Sequence, residues 1–146
     1  MDSVVIDVNA QVSPYVLFSV ADNVYGVSSN HVLSIEILGE PTSLVNAPPY
    51  TLGILDFRGD MIQLIGLRKL FGLQELDAER EMLLVFNVNE TTKGIVVDDI
   101  VAVEYINQFL DLPENSGKSR YVRSLARRDK DNSTVQLIDE ELIIDL

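Results

Sequence analysis

The sequence predicts an all-β domain, and three features carry that reading. Short runs of aliphatic, β-branched and aromatic residues recur along the 146 residues. Turn-forming residues punctuate them, and no segment keeps a helical or heptad period. A chain of this length fits one compact domain, the common size being about 100–150 residues. Apolar residues make up 47%, enough for a sizeable core, and charged residues make up 23%, an ordinary solvated surface.

The runs follow one another closely. Tyr15–Val20 is closed by Ala21-Asp22-Asn23 and answered by Val24–Val27, a hairpin in which Asp22 and Asn23 tolerate positive φ. Ser28-Ser29-Asn30 interrupts next. In Leu33–Leu38, Leu33, Ile35 and Ile37 alternate with Ser34 and Glu36, the period of a half-buried strand. Pro41, Pro48 and Pro49 make 39–49 a loop. Strands resume at TLGILDF (51–57) and MIQLIGL (61–67), joined through Arg58-Gly59-Asp60. Arg68–Phe71 reads as one helical turn stopped by Gly72. The acidic stretch Gln74–Arg80 marks a boundary between two halves, about 14–76 and 77–146, of a single domain spanning 14–146 behind an N-terminal segment, 1–13. The second half repeats the texture: Glu81–Val88, a turn at Asn89–Lys93, Gly94–Val97, Ile100–Ile106, a loop at 113–120, Tyr121–Arg127, Thr134–Ile138, and a last helical turn at Glu140–Leu146. Nine or ten strands in so short a chain favour two small barrels sharing one core. Phe18, Ile35, Ile54, Leu64, Leu84, Val96 and Leu137, each in the middle of an apolar run, are the expected core residues.

Composition narrows the function. Eleven Lys and Arg against 23 Asp and Glu leave a formal charge of −12. Such a chain is repelled by nucleic-acid phosphate and by an anionic lipid surface, and suits a basic protein partner. Without cysteine there is no disulfide framework, thiolate zinc site or cysteine nucleophile. The opening MDSVVIDVNA lacks the basic region of a secretory signal. No apolar run approaches the roughly 20 residues of a membrane-spanning helix. The reading is a cytoplasmic protein with no direct membrane insertion.

Catalysis has few candidates. His31 is the one histidine, so neither a Ser-His arrangement nor a multi-histidine metal site can be built within the chain, and His31 reads as a surface or loop residue. No nucleophile elbow, Walker loop or dinucleotide fingerprint occurs. Asp98-Asp99 follows GIVV, but neighbours on a strand point to opposite faces and would not converge on a substrate. A polar turn or bulge suits them better. No catalytic residue, metal or cofactor is expected.

Two surface features remain. Arg58, in ILDFRGDMI, is either a solvated hairpin tip or a docking residue. Lys118, Arg120, Arg123, Arg127, Arg128 and Lys130 bring six of the eleven cations into 13 residues. They are either edge-strand charges that discourage aggregation or a patch that steers an acidic partner.

Several segments, in order, resemble one family. YVLFSVADNVYGV, HVLSIEI, NAPPYTLGILDFRGDMIQLIGLRKLFGL, GIVVDDIVAV and YVRSLARR…VQLIDEELI are similar to the successive motifs of the CheW family of chemotaxis coupling proteins, over about residues 14–144. The resemblance implies two intertwined five-stranded SH3-like barrels with short helical turns and no catalytic activity. It also implies two partners, the cytoplasmic tip of a chemoreceptor and the regulatory domain of a CheA-type histidine kinase, in arrays at the inner membrane. The family's docking motif maps onto Arg58 and Gly59, with Asp56-Phe57 in place of its Asn-Leu. Gln63 and Gly66 stand where the family has Pro and Asp, and Ser124 where it has Gly. Ser34 replaces the acid of the "V-x-E-I" strand, so Glu36, two residues on, is the candidate to bring a carboxylate near Arg58. An adaptor for a different kinase-based system is the alternative. The chain also ends soon after its last strand, leaving no room for a kinase or receiver domain in this sequence.

Overall fold

The computed structural model describes residues 13–75, 80–112 and 120–146. Eleven strands run through them: β1 (Tyr15–Val20), β2 (Asn23–Ser28), β3 (Val32–Ile37), β4 (Thr51–Phe57), β5 (Asp60–Gly66), β6 (Met82–Val88), β7 (Thr91–Val97), β8 (Asp99–Glu104), β9 (Gln108–Leu110), β10 (Val122–Arg127) and β11 (Thr134–Ile138). Two short helices, α1 (Leu67–Leu70) and α2 (Glu140–Ile144), come after β5 and β11, and a 3-10 turn at Ser29–His31 joins β2 to β3.

The strands form a six-stranded sheet, in the order β8-β1-β2-β11-β10-β9, and a five-stranded sheet, β3-β6-β7-β5-β4. The two repeat one plan. A hairpin (β1–β2 or β6–β7) lies parallel to the second strand of another hairpin (β11 beside β2, β5 beside β7), and every other pairing is antiparallel. The edge strand beside each first hairpin comes from the other sheet: β3 leaves β2 to pair with β6, and β8 leaves β7 to pair with β1. Both sheets therefore contain strands from both sides of the acidic stretch, and the chain crosses between them twice after β1.

Turn chemistry explains the hairpins. Arg58 (φ 51°) and Gly59 (φ 92°) both take positive φ between β4 and β5, as do Asn89 (51°) and Glu90 (69°) between β6 and β7. Turns with two positive φ values carry the twist that antiparallel strands need. The second turn is shorter than the sequence suggests, since β7 already begins at Thr91. In the first hairpin the positive φ falls on Ala21 (54°) instead of Asp22 or Asn23. The Ala21 amide donates to the Asp98 carboxylate at 2.8 Å, a tertiary contact that local propensity does not reveal. Gly53 is required for another reason: it sits at φ 148°, and a Cβ there would lie 2.4 Å from the Thr42 carbonyl oxygen, where the loop after β3 bridges to Ile54.

The largest core cluster includes Phe18, Tyr25, Ile65, Leu84, Phe86 and Ile138, and so joins the two sheets. A satellite around Leu64, Leu83 and Val96 fills the five-stranded sheet, and one around Leu17, Val135 and Leu137 fills the other. Phe18, Leu64, Leu84, Val96 and Leu137 are buried, as expected. Two expectations fail. Ile54 is half-buried, and Ile35 is 39% exposed. On β3 it is Val32 and Leu38 at the ends that touch the cores, while the intervening Leu33, Ile35 and Ile37 face solvent. Alternation marks one apolar face but not which way it points, and a one-residue change of parity turns it over. A register shift between Val32 and Ser34 lies at this place.

Candidate protein-docking surface

The β4–β5 hairpin presents Arg58 at its tip. Asp56 Oδ1 accepts the Gly59 amide at 2.9 Å and closes the turn. The Arg58 guanidinium carbon lies 4.7 Å from the centroid of the Phe57 ring, a cation–π contact. Phe57 itself belongs to the small core of the five-stranded sheet. The charge of Arg58 is thus exposed but oriented from below, and Met61, paired with Asp56 across the hairpin, adds an apolar side chain that is 58% exposed.

The second component is β3, at the edge of the same sheet. Leu33, Ile35 and Ile37 are 48%, 39% and 58% exposed and share one face. Ser34 Oγ donates to Glu36 Oε2 at 2.7 Å. This departs from the expectation that Glu36 stands near Arg58: among the described residues no ion pair joins them, and the carboxylate is engaged by its own strand. A matching stripe lies on β8, the edge strand of the other sheet, where Val101, Val103 and, just beyond the strand, Tyr105 are exposed. Sequence reasoning placed the β3 stripe inside and took no notice of the one on β8. The usable signal was VAVEY, whose period is that of β3.

The basic cluster divides. Lys118 lies outside the described residues. Arg128 is only 8% exposed, and its fork grips Glu104 at 2.8 and 2.6 Å, so it is no part of a surface patch. Burial and pairing go together here, because a desolvated guanidinium needs its counter-charge. Arg120 lies over the Tyr121 ring, and Arg123 reaches Tyr15 Oη at 3.5 Å. Arg120, Arg123, Arg127 and Lys130 remain exposed.

Asp98 and Asp99 do not converge. Asp98, between β7 and β8, accepts Arg68 Nε at 2.7 Å and Nη2 at 2.5 Å, besides the Ala21 amide. Burial alone would raise this carboxyl, but the Arg68 hydrogen bonds, the Ala21 amide and the Arg68 charge outweigh it and hold it below the usual carboxylate range. Asp99 is exposed and accepts the amide of Ile100. His31 is no free surface residue: its Nδ1 meets the carboxylate of Glu140, which is 6% exposed. Among the described residues no group of three or more potential ligands could hold a metal ion, and no helix is long and apolar enough to cross a membrane.

Two interlaced β-barrels whose edge strands carry exposed apolar stripes, beside an oriented arginine, define a protein-binding scaffold. Residues 14–146 match the CheW-like domain, and the chain belongs to that family, a scaffolding and non-catalytic one. It is 26% identical over 134 residues to the chemotaxis protein CheW of Bacillus subtilis, covering 89% of this chain and 85% of that protein. With CheW of Treponema pallidum it shares 30% identity over 106 residues, 69% of this chain and 62% of that one. The crystal structure of the scaffolding protein TtCheW from Thermoanaerobacter tengcongensis superposes with a TM-score of 0.80 at 22% identity, covering 87% of this chain and 88% of the other, a likeness of fold.

Proposed function

We propose that this chain couples the cytoplasmic tip of a chemoreceptor to the regulatory domain of a CheA-type histidine kinase. It would do so in the cytoplasm, in receptor arrays at the inner membrane, without chemistry of its own. The observation that carries the reading is the solvent-facing stripe Leu33-Ile35-Ile37 on an edge strand of the sheet that also presents Arg58. Exposed apolar side chains gathered on one face mark a binding surface, and an arginine at its margin adds directional charge recognition. The net charge of −12 disfavours nucleic acid as an alternative partner. Asp56, Gly66 and Ser34, where the family pattern differs, favour one second reading: the same kind of adaptor serving a different kinase-based system.

Binding of purified chain to a receptor cytoplasmic fragment and to the kinase's regulatory domain, each immobilised in turn, tests the proposal. Arg58→Ala should weaken one of these interactions by about 1–3 kcal/mol, as hot-spot arginines do. It should leave the melting temperature nearly unchanged, because the side chain's one described partner is an exposed ring contact. Failure of the wild-type chain to bind either partner would remove the chemotaxis reading, and capture of another kinase's regulatory domain would establish the second.

A further inference from the structure

The two places where the chain passes from one sheet to the other are held alike. Arg68, in the first turn of α1, grips Asp98 where the chain leaves the five-stranded sheet for β8. At the corresponding place Glu140, the first residue of α2, holds the chain where it leaves the six-stranded sheet for β3. Its Oε2 accepts the Ser28 amide at 3.3 Å and contacts His31 Nδ1, while Arg123 Nε lies 4.0 Å from Oε1. A buried carboxylate thus collects partners from the end of β2, from the 3-10 turn and from β10. None of the motifs that identify the family requires it.

The strand that begins at this clamp gives it a use. The register shift of β3 falls between Val32 and Ser34, immediately after His31. The parity with which β3 enters the sheet decides whether Leu33, Ile35 and Ile37 face solvent or core. A point fixed just before the shift sets that parity. We infer that Glu140 is a positioning residue for partner docking. Through Ser28 and His31 it holds the start of β3 so that the apolar stripe faces outward. The inference rests on the docking surface proposed above and adds a residue in a different element that governs it.

Amide hydrogen exchange on the partner-free full-length chain, with binding measured in parallel, tests this. Glu140→Gln keeps the side-chain size but loses the charge that His31 and Arg123 meet, and His31→Gln is the second variant. Both should speed exchange at the β3 amides by about tenfold, while β1 and β11 stay protected, the mark of local instead of global opening. Both should also weaken binding of the receptor or kinase fragment by about tenfold, a change of roughly 1.4 kcal/mol. Unchanged β3 exchange in both variants, or exchange that rises equally in β1 and β11, overturns the inference. If β3 loosens and binding holds, Ile35→Asp decides the cause. Binding lost with Ile35→Asp overturns the positioning role alone, whereas binding retained overturns the docking surface as well.

Discussion

Leu84→Ala should lower the unfolding free energy by about 2–5 kcal/mol, the range for truncating a fully buried leucine. Leu84 is 0% exposed in the middle of β6, between β3 and β7, and lies in the cluster that joins the two sheets. A cavity there removes contacts from both sides of the fold at once. Ile35 lies opposite Leu84 in the pairing of β3 with β6, yet its side chain is exposed. Ile35→Ala should therefore change stability by less than about 0.5 kcal/mol, as ordinary surface substitutions do. Urea titrations of the two variants check the pair, and equal losses would show that the outward face of β3 is wrongly assigned.

That contrast also shows how far the sequence could be read. Leu84 and Phe18 sit in runs apolar on both sides, MLLVF and YVLFSV, where either parity buries a large side chain. Ile35 sits in strict alternation, where the faces differ and only the partner strands determine which is inside. The hairpin tip at Arg58 was legible because Gly59 supplies a positive φ that few other residues take. The exchange of edge strands was not, because β3 and β8 are apolar enough to pair anywhere and their destinations depend on long-range packing. Nor did the sequence reveal that Arg128 and His31 are engaged. Each depends on an acid far along the chain or in another element, Glu104 for one and Glu140 for the other. The three-residue β9 is too short to carry a period of its own.

Asp98→Asn should be the other large loss, about 2–3 kcal/mol at neutral pH. The substitution leaves the Arg68 guanidinium, 12% exposed, without its counter-charge. The pH dependence fixes the cause. The folded-state carboxyl of Asp98 lies below its usual range, so its contribution is fully present above the unfolded value of about 3.9 and is lost as pH falls through the lower folded value. Glu104, lowered chiefly by its hydrogen bond to Arg128, acts in the same direction. Glu81 opposes them, since burial first and then Asp98 and Glu75 raise its carboxyl, and protonating it favours the folded state. Wild-type stability should fall on acidification below about pH 4. Asp98→Asn should flatten that fall while lowering the neutral-pH plateau. An acid slope as steep in the variant as in the wild type would assign the loss to other groups.

The exchanged edge strands also bear on the order in which the protein can fold as it is made. The five-stranded sheet starts with β3 but cannot close until β7, ending at Val97, has appeared. The six-stranded sheet starts with β1 and waits for β11, ending at Ile138. At a synthesis rate of roughly 5–20 residues per second, β1–β5 must wait several seconds before the partners that complete their sheets emerge from the ribosome. Folding dominated by such distant pairings is slow and leaves apolar strands exposed meanwhile. The growing chain should therefore be a strong client of ribosome-associated chaperones until Val97 emerges. Its protection against protease should rise in two late steps, the first with β7 and the second with β11.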